Sequence, residues 1–209
     1  DLIAELFTTT VLVGILASGI RLATPYLFAS LGETFGQKSG VLNLGVEGIM
    51  LLGAFSAFYT TFVNENVWLG LLAAIILGAV MGLMVAIINV TLKAEQGISG
   101  IGVYLFGLGM SELLFQKTLG TVETVSGFSA VQIPFFSDIP YIGEIFFQQN
   151  ILVYFAFLMV PISWFVLGKT TLGLKIRAVG ENPEAADTLG VSVNGIRYFT
   201  QIFGGVMSG

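Results

Sequence analysis

Five long apolar runs separated by short polar stretches leave this chain few ways to fold: residues 6–31, 41–63, 67–92, 97–115 and 151–168. Crossing the roughly 30 Å hydrocarbon layer takes about 20 apolar residues as a helix, because a backbone in lipid must satisfy its own hydrogen bonds. Each run is of that size, and a sixth, 198–209, is shorter. A membrane β-barrel would show alternating segments of about 10 residues, whereas these runs are continuous. Only 10% of the residues are charged and the mean hydropathy is +0.91, where a soluble domain carries about 25% charge. The expected fold is an all-α, polytopic transmembrane helical bundle forming a single domain over residues 1–209.

The punctuation between the runs sets the expected organisation. GETFGQKSG at 32–40 and NEN at 64–66 read as polar turns, and 93–96 closes the third run. Arg21 and Pro25 interrupt the first run, and Pro161 lies in the fifth; each proline removes a helical hydrogen bond and favours a kink. Gly78 and Gly82 in the third run have the small-xxx-small spacing that lets helices approach closely. The fourth run holds Gly97, Gly100, Gly102, Gly107 and Gly109, at about 1 kcal/mol each against alanine, and is expected to be weak or broken. The connection 116–150, with Pro134, Pro140 and several aromatics, suits a segment lying at headgroup level. Asp1 and Glu5 precede the first run, so that run reads as a retained span and not as a signal peptide. The sixth run, 12 residues long, is expected to continue beyond residue 209.

Between the fifth and sixth runs lies a charged island, Thr171 to Arg197, carrying Lys175, Arg177, Glu181, Glu184, Asp187 and Arg197. Asn182-Pro183-Glu184 is a helix start: a capping side chain, a proline at the first helical position and an acid in the first turn. Gly190 stands where a left-handed C-terminal residue is wanted, which predicts a helix from Pro183 to Leu189. So short a helix is unstable alone and must dock on something. Ala185, Ala186 and Leu189 give it a small apolar patch; the plain alternative is a solvated helix that merely joins two spans. If the loop 169–197 is cytoplasmic, the inside loops hold Lys38, Lys93, Lys169, Lys175, Arg177 and Arg197, and the outside holds only Lys117. That satisfies the positive-inside rule with the N-terminus outside.

Several chemistries find no residues here. With no cysteine and no histidine, disulfides, thiolate chemistry, imidazole acid–base catalysis and the usual metal ligand sets are not expected. There is no clustered basic face for nucleic acid. No G-x-x-x-x-G-K-[ST] pattern occurs, so a P-loop nucleotide site is not expected in this chain. No catalytic residue and no metal or other cofactor is assigned.

RAVGENPEAADTLGVSV, residues 177–193, resembles the coupling segment of permease subunits in ATP-binding-cassette importers of the branched-chain amino acid, ribose and nucleoside type. LGETFGQKSGVLNLGVEGIMLLGAF, residues 31–55, is similar to the N-terminal signature of the simple-sugar and nucleoside permeases, and QGISGIGVYLFGLG, residues 96–109, is a looser match. The resemblance implies a permease subunit in the bacterial inner membrane, with about a third of the subunit beyond residue 209. Its implied partners are a cytoplasmic ATPase that binds ATP and Mg, a second permease subunit and an extracytoplasmic substrate-binding protein docking on 116–150. Glu181, Asn182, Pro183, Glu184, Ala185, Ala186, Leu189 and Gly190 would be the ATPase-coupling residues. The substrate would be a nucleoside or simple sugar, with branched-chain amino acids or an ion-coupled secondary transporter as alternatives.

Within the membrane, Asn43 and Glu47 are four apart and would share a face of the second helix. Arg21, about ten residues from the same end of the first run, is expected to pair with Glu47, since an ionised group in the bilayer needs a partner. The alternative places Asn43 and Glu47 on the substrate path. Ser99, Tyr104, Phe106 and Ser111 on the fourth run are further pore-lining candidates, the aromatics because their rings stack on bases and sugars alike.

Overall fold

The structure, a computed structural model, describes residues 9–120, 124, 125, 127–132 and 141–209. Helix α1 (Thr9–Lys38) is followed by α2 (Val46–Asn64), α3 (Val67–Ala86) with a π-helical extension (Ile87–Thr91), and α4 (Gln96–Thr118). Then come strand β1 (Ala130–Gln132), α5 (Ile142–Phe146), strand β2 (Gln148–Asn150), α6 (Ile151–Lys169), α7 (Thr171–Glu181), α8 (Pro183–Thr188) and α9 (Val193–Ser208). Five helices among the described residues are long and apolar enough to cross a membrane, with only 11% to 33% of each span buried within the chain. Apolar helices that leave most of their surface outward need an apolar solvent around them. This is a multi-pass membrane protein.

The chain divides into two compact units, Asp1–Leu27 with Gly127–Pro161, and Phe28–Ser126 with Ile162–Gly209. In the first, β1 and β2 pair antiparallel with Val131 opposite Gln149. Tyr154 Oη accepts from Gln149 N and donates to Val131 O, each at 3.1 Å, holding the hairpin at the start of α6. Gln149 is fully buried, and its Nε2 donates to Ala17 O at 3.1 Å and Ile145 O at 2.8 Å. The proline-containing stretch 133–140, expected at headgroup level, lies outside the described residues.

In the second unit, Ile49 and Leu52 of α2, Met81 and Val85 of α3 and Val103 of α4 form the apolar core. Glycines set the helix spacing around it. A Cβ on Gly107 would strike the backbone of Gly48, and a Cβ on Gly48 would meet Tyr104 Cα at 2.8 Å, so α2 and α4 touch through their main chains. The expected break in α4 is absent: it is one continuous helix. Lipid offers no water to compete for freed backbone groups, and Gly100 and Gly107 are there for close contact. Gly78 and Gly82 of α3 do pack closely, against Gly205 and Gln201 of α9.

The first turn also falls elsewhere than expected. Residues 32–38 continue α1, and the chain breaks instead at 39–45. Gly32 lets α9 approach at Gly204, and Glu33 and Gln37 bond side by side on the helix, Gln37 Nε2 donating to Glu33 Oε1 at 3.2 Å. Packing, not turn formation, explains these glycines and polar groups. Gly40, at φ +81°, ends the helix. Asn66 caps α3 by accepting from Trp68 N at 2.9 Å.

Candidate functional site

The charged island folds into three helices with a side-chain cap at each start. Thr170 Oγ1 accepts from Gly173 N at 3.1 Å, Asn182 Oδ1 from Ala185 N at 3.0 Å, and Ser192 Oγ from Gly195 N at 3.3 Å. Each cap satisfies a donor that the first helical turn would otherwise leave unpaired. α7 is amphipathic and buries Gly173, Ile176 and Val179. At its far end Gly180 lies against the carbonyl of Lys38, where a Cβ would strike it. The chain then turns at Asn182 into α8, six residues long. Gly190, at φ +80°, closes it as Gly190 N donates to Asp187 O at 2.8 Å and Val191 N to Ala186 O at 3.0 Å.

α8 ends at Thr188, so Leu189 stands just past the helix that was expected to include it. The apolar patch is also smaller than expected. Ala186 is 3% exposed and turns inward as the anchor, whereas Leu189 is 84% exposed and Ala185 lies outward. Glu181, Glu184 and Asp187 are exposed, and a shallow cleft runs beside α8 between Pro183, Glu184, Asp187, Ser192, Val193 and Asn194.

A second polar assembly sits where α7 meets α1. The non-helical segment 39–45 has backbone groups that no helix satisfies, and side chains from three other elements reach them. Glu33 Oε1 accepts from Asn43 N at 3.0 Å, and Gln96 Oε1 accepts from Leu42 N at 2.8 Å. From α9, Arg197 Nε donates to Ser39 O at 3.3 Å and Gln201 Nε2 to Val41 O at 3.2 Å. The hydroxyls of Ser39 and Thr200, both fully buried, lie 2.8 Å apart. Buried main-chain groups without partners are costly, so these side chains make an irregular backbone tolerable at this end of the bundle.

Beside this segment the third span ends in a π-helical turn, Leu92 N donating to Ile87 O at 3.0 Å. Buried Asn89 accepts from Ser99 Oγ at 2.6 Å, and Thr91 Oγ1 hydrogen-bonds Tyr198 Oη. π-Turns of this kind recur at functional sites. Glu95, outside the spans, caps α4 by accepting from Gly97 N and Ile98 N. The Ile98 and Gly97 amides hold its carboxyl below the ordinary carboxylate range.

The expected membrane site is rearranged. Asn43 is not on a helix face with Glu47: it lies in the 39–45 segment, 6% exposed, with Oδ1 accepting from Gly45 N at 2.9 Å. α2 starts only at Val46, so the helical spacing behind that expectation does not apply, and Glu47 is exposed in its first turn. Arg21 has Gln149 as its partner, its Nε donating to Oε1 at 3.4 Å, in place of the expected Glu47. The physical reason is length. The first run was expected to end at residue 31, but α1 runs to Lys38, so Arg21 is 17 residues and not about ten before that end.

Of the pore candidates, Ser99 is committed to Asn89, Tyr104 is half-buried beside Gly48, Phe106 is exposed, and Ser111 Oγ donates to Leu108 O at 3.0 Å. The residues passed over in the sequence, Glu33, Asn89, Gln96, Thr200, Gln201 and Gln149, are polar groups inside or at the edges of apolar runs. That placement is itself a signal, because a polar side chain at membrane depth requires a partner. Among the described residues, the buried Ser163 Oγ and Arg177 Nε have no hydrogen-bond partner.

Residues 15–209 match the family described as branched-chain amino acid transport system / permease component. The chain belongs to that family. Among curated relatives, it is 40% identical over 94% of its length to a Haloferax volcanii protein provisionally named as a glucose ABC transporter permease, TsgC13. It is 37% identical over 90% of its length to the guanosine ABC transporter permease protein NupQ of Bacillus subtilis. It is 36% identical over 93% to the nucleoside ABC transporter permease protein NupC of Lactococcus lactis subsp. cremoris. The chain spans 60%, 62% and 64% of those relatives' own lengths. No solved structure matches it.

Proposed function

We propose that this chain is the greater part of the membrane-spanning permease subunit of an ATP-binding-cassette importer, forming the translocation path for a nucleoside or simple sugar. The observation that carries this reading is the family match across residues 15–209; the relatives' names supply the substrate class. ATP and Mg belong to a partner ATPase, and this subunit is not itself an enzyme. A second permease subunit and an extracytoplasmic substrate-binding protein complete the assembly. α8 and the residues flanking it supply the contact to the ATPase through Glu181, Asn182, Pro183, Glu184, Ala185, Leu189 and Gly190, with Ala186 holding the helix to its own subunit.

The orientation follows from charge. Lys38 and Arg197 stand where α7 meets α1, and Lys93, Lys169, Lys175 and Arg177 belong to the connections 93–96 and 169–197 that alternation of the spans assigns to the same side. Lys117 stands at the far end of α4, about 30 Å along the helix. By the positive-inside rule the 169–197 loop is cytoplasmic and the N-terminus outside. Asn43, Glu47, Ser99, Tyr104 and Phe106 remain the proposed substrate-path residues, with Glu47 and Phe106 the outward-facing ones.

The test is uptake by the full-length subunit with its ATPase, second permease and binding protein in proteoliposomes. ATP-dependent accumulation of labelled guanosine or glucose is expected. Accumulation of leucine alone would move the substrate to branched-chain amino acids, and uptake driven by an ion gradient without ATP would overturn the reading.

A further inference from the structure

The 39–45 segment and α9 are joined more closely than a loop and a neighbouring helix need to be. Arg197, Thr200 and Gln201 fall at i, i+3 and i+4, one face of α9, and they reach Ser39 O, the Ser39 hydroxyl and Val41 O. α9 follows α8 after only four residues, and α7, on the other side of α8, presses Gly180 against Lys38 at the start of the same segment. Whatever displaces α8 therefore meets the α1–α2 junction at two places.

We propose that Arg197, Thr200 and Gln201 are positioning residues that fasten the α1–α2 junction to α9, so that junction and helix move as one body and carry displacement of α8 into the spans. This rests on the reading of the chain as an ATP-driven permease. It assigns a role to residues outside the short helix itself. α9 is suited to the task, because further along it Gly204 on Gly32 and Gly205 on Gly78 are backbone packing with little slack. Coupling between two sites needs an element whose position both of them bias, and α9 with its fastened junction is such an element.

The first test uses Thr200→Val, which keeps side-chain shape and removes the hydroxyl, with Thr200→Ser as the conservative partner. In the full complex in proteoliposomes, Thr200→Val is expected to leave assembly and ATP hydrolysis within about twofold of wild type. Uptake should fall by about tenfold, the scale set by one buried hydrogen bond, and Thr200→Ser should restore it. Uptake and hydrolysis falling in the same proportion would overturn the proposal, as would no change in either.

A second measurement does not depend on the variant's stability. Ser39→Cys with Thr200→Cys, in a chain that has no other cysteine in these 209 residues, allows the junction to be cross-linked to α9. If the two move as one body, the reduced protein, which lacks the hydroxyl pair, transports below wild type and the oxidised protein transports at least as fast as the reduced one. Loss of uptake on oxidation with recovery on reduction would show that they separate, and the proposal would fall. Absence of ATP-dependent uptake in the wild type would instead fault the permease reading.

Discussion

The α8 helix and the 39–45 segment are both short interruptions between long helices, and they are held in opposite ways. α8 is specified by its neighbours in sequence: Asn182 caps it, Pro183 starts it, Gly190 closes it, all within nine residues. The 39–45 segment is held from far along the chain, by Gln96 and by Arg197, Thr200 and Gln201 about 160 residues away. A pair of glycines sharpens the contrast. Gly190 is needed for its backbone angle and has open space around it, while Gly180 is needed for space, with the Lys38 carbonyl where a side chain would go. Local chemistry builds the part proposed to meet another subunit, and tertiary contact builds the part that connects it to the membrane.

The largest effect is expected where tertiary contact is broken. Gly180→Val drives a branched side chain into the Lys38 carbonyl and toward Gly40 N, neither of which is the yielding end of a flexible side chain. Overpacking of this kind costs roughly 1–3 kcal/mol or more. The thermal unfolding midpoint of the purified protein in detergent should drop clearly, and uptake should fall with it. An unchanged midpoint would mean that α7 is not seated on α1 and that the contrast between the two regions is false.

A smaller, local effect is expected from Asn182→Ala. The cap to Ala185 N is worth about 1 kcal/mol, and α8 has little else to hold it. Backbone amide exchange at Ala185 and Ala186 should speed up by about fivefold, the equivalent of that energy, while the spans stay protected. Asn182→Asp should restore protection. If exchange also rose across 39–45, the two regions would be one cooperative unit and not two kinds of structure.

The same contrast explains what was readable before the structure. Helix existence and the capped α8 were legible because apolar run length, Asn182, Pro183 and Gly190 act within a few residues. The position of the α1–α2 break was not, because Gly32 and Gly36 signal a turn by propensity and are used instead for contact with α9. The partner of Arg21 was missed for a related reason: Gln149 is 128 residues away in a polar triplet, QQN, that carries no spacing cue. The π-turn at Ile87–Thr91 sits inside the third apolar run, where Asn89 was passed over because no turn residue stands beside it.

The smallest effect tests whether capping by a charged group belongs with the local class. Glu95 accepts from Gly97 N and Ile98 N at the start of α4, and these amides hold its pKa below the ordinary carboxylate value. A carboxyl whose folded pKa is depressed binds its proton more tightly when unfolded, so its stabilising contribution is full above the unfolded value, about 4.3. It is lost as pH falls through the lower folded value. Because Glu95 is fully exposed, solvent and salt screen the contribution. The difference in unfolding midpoint between wild type and Glu95→Gln should therefore be slight at neutral pH and shrink as the pH falls below about 4. A difference that grew on acidification would have the wrong sign for a depressed carboxyl. It would place Glu95 with the long-range clamps, where a neutral amide such as Gln96 serves, and not with Asn182.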